Sequence, residues 1–326
     1  MRENVTKITG LDSLRFFAFL SIFVFHATDI FPKGYLGVDF FFVLSSFLLT
    51  FLMLKELELT NTFSKKNFLV RRSLRIFPLY FLVVGFSLML LPLLSSFTNT
   101  NISLPENQLL YWTFLSNYEF SDSIFALKFL WSIAVEEQFY LFFILFSFLF
   151  KRHFWIFISI VLIGYFSFIF SADYLNISTY THTLTHFANF AAGMSAAYLF
   201  YHKKITLNTS KILLVAFLPT LFITNLPEIL FHPFLSIVFA ALILIFIPLS
   251  EKIQQNKVLK TTEHLGKYTY GLYIYSGFIL TFGEKFIPIE NLYAKFLIQL
   301  VLLIAIAFSS YHLFEKHFLK LKKRFY

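Results

Sequence analysis

Eight side chains of this chain carry acid, base or strong cationic chemistry in places where the surrounding residues are apolar: Arg15, His26, Asp39, Arg72, Arg75, Glu136, Glu137 and Glu315. The densest group lies in LDSLRFFAFLSIFVFHA, residues 11–27. Arg15 and His26 are eleven residues apart, which on a helix advancing about 100° per residue returns them to within about 20° of one another. They are then separated by roughly 16 Å along the axis, and Asp12 falls about 40° from His26, so the three form one polar stripe. A charge facing lipid costs several kcal/mol, so the stripe must face protein or an aqueous cavity. An imidazole there can take a proton from a hydroxyl, and a guanidinium can stabilise a developing oxyanion.

Asp39 sits near the outer end of the next apolar run, YLGVDFFFVLSSFLLTF (35–51), a short turn away from His26. Two readings are open: a carboxylate that orients the His26 ring and leaves its other nitrogen as a base, or a helix-end acid in the interface. In KKNFLVRRSLRIFPLY (65–80), Arg71, Arg72 and Arg75 precede Pro78. Arg72 and Arg75 at i, i+3 form a fork suited to phosphate, although basic residues also flank ordinary spans. Glu136 and Glu137 lie deep in FLWSIAVEEQFYLFFILF (129–146). Neighbours on a helix point about 100° apart, so one of the two needs a cation or a proton, and Arg15 is the expected partner. His182 and His186 have the i, i+4 spacing of a metal pair, with His232 or Asp173 as further ligands. Interfacial histidines are the better reading, and no metal is predicted.

The elements that must hold these residues are membrane helices. The chain is 326 residues long, 58% hydrophobic and 14% charged, with 49 Phe and no Cys; a soluble domain carries about a quarter charged residues. The missing Cys excludes disulfides and thiolate chemistry. Hydrophobic runs of spanning length predict an all-α integral membrane protein of about ten transmembrane helices, near 11–31, 35–54, 76–95, 126–150, 154–172, 184–201, 212–226, 234–250, 268–287 and 294–314. The piece 107–117 is too short to span. With both termini cytoplasmic, 22 of the 27 Lys and Arg fall on the inner side, as the positive-inside rule requires. The net charge of +9 is therefore a topology signal, and no nucleic-acid partner is expected. The basic, amphipathic tail EKHFLKLKKRFY is expected on the anionic inner leaflet. No cleavable signal peptide and no separate soluble domain are expected, so 1–326 reads as one transmembrane domain.

Four of these stretches together resemble the membrane acyltransferase-3 family: LDSLRFFAFLSIFVFH with its arginine and histidine, GVDFFFVLSSFLLT, FLVRRSLRIFPLY and FLWSIAVEEQFYL. LGKYTYGLYIY and YHLFEKHFLK match more loosely. The resemblance implies transfer of an acyl group, acetyl by default, from acyl-CoA to a hydroxyl of a carbohydrate or other cell-envelope acceptor in the cytoplasmic membrane. It implies that Arg15 and His26 are the essential pair and that Arg72 and Arg75 meet the acyl-CoA. Asp39, Glu137 and Glu315 take the other acidic motif positions. Two departures stand out: Ser276 occupies a position where members often have histidine, and Ser46 stands where a glycine is usual. The rival reading is a secondary transporter using the intramembrane Arg, His and Glu as a proton relay. Against it, the chain shows no paired Gly- or Pro-broken helices in its two halves.

Overall fold

The computed structural model describes residues 8–28, 30–98, 102–119, 124–175, 179–223, 225–253 and 256–325. The first seven residues, expected in the cytoplasm, and the Asp173 side chain lie outside the described residues. The described residues are helical with no strand. In chain order the helices are α1 (Leu11–Ala27), α2 (Gly37–Thr60), α3 (Lys65–Gly85), α4 (Leu91–Thr98) and α5 (Leu109–Trp112). They continue with α6 (Leu130–Leu145), α7 (Phe154–Leu175), α8 (Phe187–Tyr201), α9 (Leu207–Phe217) and α10 (Glu228–Ile253). The last four are α11 (Lys257–Leu265), α12 (Thr269–Phe286), α13 (Leu292–Ser310) and α14 (Lys316–Leu321).

Local chemistry explains several of the ends. α2 stops at Asn61, whose left-handed backbone (φ 57°) lets its N–H reach the Leu57 carbonyl, an end that asparagine tolerates. α3 starts because the Ser64 hydroxyl accepts the Asn67 N–H at 3.3 Å, and Asn291 does the same for Ala294 at the head of α13 at 3.0 Å. Each such cap is worth about 1 kcal/mol. α3 runs on through a π-helical stretch, Phe86–Leu90, into α4.

The helices fall into two compact units. The first comprises Met1–Ile22, Lys33–Phe63 and Leu141–Lys267. Its core is the seam of α2, α8 and α10, filled by Val43, Leu44, Phe47, Ala197, Leu235 and Val238. The second comprises Phe23–Pro32, Ser64–Tyr140 and Tyr268–Tyr326. Here Tyr80, Phe77 and Phe81 of α3 stack around Phe114 with centroids 4.3–5.4 Å apart. The Tyr80 hydroxyl donates to the Tyr111 carbonyl at 2.8 Å, binding the non-spanning piece to α3. α12 closes on residues 125–129 at Gly277, where a Cβ would lie 2.6 Å from the Ala126 backbone.

Five segments are long and apolar enough to cross a membrane: Gly34–Thr60, Lys65–Ser95, Phe154–Ala172, Glu228–Ser250 and Leu292–Phe325. Exposed Phe97, Phe170, Val215 and Val301 are the lipid-facing surface such a protein needs. A helix also stands at each of the other five expected segments, but α1, α6, α8 and α9 are 17, 16, 15 and 11 residues long. At about 1.5 Å per residue these fall short of a hydrocarbon core of about 30 Å. The described residues thus support a multi-pass helical membrane protein, and the count of ten is not carried by helix length. The short helices α1, α6 and α8 are also ones that bear polar side chains.

Candidate active site

In the second unit α3, α6, α12 and the C-terminal segment bring arginines, glutamates and tyrosines together. Arg72 lies over two rings, its guanidinium carbon 5.6 Å from the centre of Phe68 and 5.3 Å from that of Tyr140. Tyr140, one turn after Glu136 on α6, donates its hydroxyl to Glu136 Oε2 at 3.0 Å. Glu137 is buried, with Arg72 and Glu136 as its electrostatic neighbours. Its Oε1 has no hydrogen-bond partner among the described residues. The cation whose charge acts on Glu137 is Arg72, where the sequence suggests Arg15.

Arg75, further along α3, lies in the electrostatic surroundings of a different acid. Its neighbours are Glu315 and Tyr270. Glu315 sits at the end of the π-helical turn Tyr311–Glu315 and accepts from the Ser310 hydroxyl at 3.2 Å. Tyr275 pairs with the same Ser310 at 3.0 Å, and Tyr270 donates to the Ile76 carbonyl at 2.7 Å. Gly271 lets α12 come this close, since a Cβ there would lie 3.3 Å from Glu315 Oε1. The two arginines of the expected i, i+3 fork thus act electrostatically on two different buried glutamates.

His26 ends α1 in the same unit. Its ring is exposed and flanked by Phe129 (centroids 4.8 Å) and Phe125 (6.2 Å). No hydrogen bond of its ring nitrogens occurs among the described residues. Phe129 in turn meets the Tyr273 ring at 5.8 Å, and the Tyr273 and Ser132 hydroxyls are 2.7 Å apart. Ser276 gives its hydroxyl to the Tyr273 carbonyl at 2.6 Å, so the position where relatives often carry histidine is spent inside its own helix.

Arg15 and Asp39 belong to the first unit. Arg15 forms an ion pair with Asp12, one turn away on α1. Asp39 is fully buried and accepts from Asn189 Nδ2 at 2.7 Å. The Nδ1 atoms of His186 and His232 lie 3.5 and 3.6 Å from the same oxygen. Asn189 accepts from the Ser236 hydroxyl at 2.5 Å, and His186 Nε2, 2.8 Å from the Tyr180 carbonyl, must carry a hydrogen. The expected use of Asp39 to orient His26 is replaced: its partners come from α8, α10 and the turn before α8. A carboxylate this buried needs such partners, because an uncompensated charge costs several kcal/mol.

The histidine pair 182/186 is likewise split. His182 stacks on Phe168 at 3.9 Å and accepts the Leu184 N–H at 3.2 Å, while His186 turns to Asp39. Among the described residues no group of three or more His, Asp or Glu is placed to hold a metal ion. Sequence reasoning missed Tyr140, Tyr270, Tyr273, Ser132, Asn189 and Ser236. The Glu136–Tyr140 contact was visible as an i, i+4 pair, and Tyr270 and Tyr273 as an i, i+3 pair; nothing in the sequence marked Asn189 or Ser236.

With this geometry in hand, comparison with known proteins is informative. A family model described as an acyltransferase domain matches residues 8–312. The chain belongs to the acyltransferase-3 family. It is 34% identical over 221 residues to a Staphylococcus aureus (strain COL) protein provisionally named an O-acetyltransferase, covering 60% of this chain and 35% of that protein. It is 35% identical over 144 residues to the O-acetyltransferase OatA of Staphylococcus aureus (strain NCTC 8325), covering 42% of this chain and 24% of OatA. The chain thus spans about a third or less of the length of these curated relatives. No solved structure matches it.

Proposed function

We propose that this acyltransferase-family chain is an integral-membrane O-acyltransferase. It moves an acyl group, acetyl by preference, from acyl-CoA to a hydroxyl of a carbohydrate or other cell-envelope acceptor at the cytoplasmic membrane. In this reading the ten helical segments cross the bilayer with both termini inside. His26 takes the acceptor proton as the hydroxyl oxygen attacks the thioester carbonyl. The tetrahedral intermediate then expels the CoA thiolate, which recovers that proton from the imidazolium. Arg15, fixed by Asp12, is the second functional side chain of α1. Arg72 and Arg75 receive the phosphates of the donor, with Glu136, Glu137 and Glu315 positioning them. Asp39 acts as a positioning residue through Asn189 and the two histidines.

The observation that carries this reading is His26: an exposed imidazole, held by two phenylalanine faces and making no hydrogen bond of its own among the described residues, in the unit that also holds Arg72, Arg75 and the three glutamates. Purified protein in nanodiscs is to be incubated with labelled acetyl-CoA and assayed for transfer or thioester hydrolysis. Wild type is expected to do one or both, and His26→Ala to lose about 10²–10⁴-fold in kcat, the usual contribution of a general base. Undiminished turnover by His26→Ala removes the histidine from the reaction. Absence of both activities in wild type returns the chain to the transporter reading.

A further inference from the structure

Within the first unit, the opening turn of α1 is gripped by α11. Ser13, the third residue of α1, is buried, and a backbone N–H at this position of a helix has no carbonyl of its own helix to bond. It donates instead to Glu263 Oε2 at 3.0 Å. The Ser13 hydroxyl lies 3.1 Å from the Leu259 carbonyl and 3.3 Å from the same Glu263 oxygen, and accepts from the Thr262 hydroxyl at 3.2 Å. A carboxylate at the N-terminal end of a helix is also favoured by the helix dipole. Leu259 and Glu263 are one turn apart on α11, which is started by Asn256 accepting the N–H groups of Val258 and Leu259 at 2.9 and 3.4 Å. Gly266, just past α11, permits the approach: a Cβ there would lie 2.0 Å from the Asp12 carbonyl oxygen and 2.8 Å from the Asp12 Cβ. α11 thus holds residues 12 and 13, and Asp12 is the ion-pair partner of Arg15.

We infer that Glu263 is a positioning residue for Arg15, acting through the first turn of α1. The inference rests on the reading of Arg15 as a functional side chain of an acyltransferase. Residues three apart share one face of a helix, so whatever fixes Asp12 and Ser13 about the helix axis also fixes the direction of Arg15. The Asp12–Arg15 pair cannot do this alone, because both members lie on α1 and turn with it. An outside reference is needed, and the Glu263 carboxylate, 250 positions along the chain from Ser13, supplies it. A functional group misplaced by about 1 Å can cost up to about a hundredfold in rate. Loss of the clamp therefore lowers turnover while leaving the residues assigned to the donor phosphates untouched.

The test is a double-mutant cycle on the full chain in nanodiscs, with kcat and the KM for acetyl-CoA measured for each protein. Glu263→Ala is expected to lower kcat about tenfold with KM for acetyl-CoA unchanged. Glu263→Gln, which keeps an oxygen for the Ser13 N–H, is expected to restore most of that loss. In an Arg15→Lys background, itself slower than wild type, adding Glu263→Ala is expected to cost nothing further, because residues acting as one unit are not additive. A merely structural Glu263 would lower both backgrounds by the same factor, and that result overturns the inference. So does wild-type kcat in Glu263→Ala, or a glutamine variant as slow as the alanine one. Should Glu263→Ala fail to fold, Ser13→Ala, which removes the hydroxyl contacts and keeps the backbone bond, takes its place in the cycle under the same criteria. Arg15→Lys at wild-type turnover, or a wild type with neither transfer nor hydrolysis, refutes the underlying reading, and the inference with it.

Discussion

Substitution of Gly193 by alanine probes a close helix contact of the first unit. A Cβ at this position would lie 2.1 Å from the Ser46 hydroxyl oxygen and 2.1 Å from the Val43 carbonyl oxygen. One obstacle is a side chain and the other is backbone, so a rotamer change cannot relieve both. α8 must move away from α2 by about 1 Å to restore ordinary contact, and overpacking of this kind costs about 1–3 kcal/mol. The same movement reaches the polar cluster, since Asn189 is one turn before Gly193 and donates to Asp39 at 2.7 Å. Lengthening that bond by 1 Å takes it beyond hydrogen-bonding range. Gly193→Ala is therefore expected at the upper end of the range, which at roughly 2–4 °C per kcal/mol for a chain of a few hundred residues lowers Tm by several degrees. Adding Ser46→Gly removes the side-chain obstacle but not the carbonyl, so the double variant is expected to recover only part of the loss. Thermal unfolding in detergent, followed by tryptophan fluorescence, measures both. A Gly193→Ala protein that unfolds with wild type refutes the packing argument, and full recovery in the double variant refutes the role given to the Val43 carbonyl.

Asp39→Asn keeps an oxygen for the Asn189 amide, whereas Asp39→Ala strands that buried donor at a cost of about 1–3 kcal/mol; thermal unfolding is expected to rank alanine well below asparagine, and equal loss would show that the charge alone matters. Arg72→Lys combined with Arg75→Lys keeps a cation beside Glu137 and Glu315 but removes the planar fork, so KM for acetyl-CoA is expected to rise about tenfold with KM for the acceptor unchanged. Steady-state kinetics with each substrate varied in turn decides this, and an unchanged donor KM removes the two arginines from the donor site.

Much of this protein was legible from residue types alone. Long apolar runs have no stable alternative to helices in lipid, because each unpaired backbone group there costs several kcal/mol. Five of the expected apolar runs are helices long enough to cross a membrane, and the motifs around Arg15, Asp39, Arg72 and Glu137 sufficed to place the chain in its family. The replacement of glycine by Ser46 was also visible, but its accommodation was not: Gly193, 147 positions later, supplies the missing space.

What the tertiary structure decided is which acid meets which base. Asp39 turns to His186 and His232 and Arg71 to Phe325, while the charge of Arg72 acts on Glu137 and that of Arg75 on Glu315. Helical periodicity gives the direction of a side chain about its own axis, but not the helix lying opposite. In a soluble helix the apolar stripe marks the inward face. Here apolar residues occupy every face of α2 and α6 among a few polar ones, so that marker is missing, and only packing, through close approaches such as Gly193 and Gly271, brings distant residues to one another.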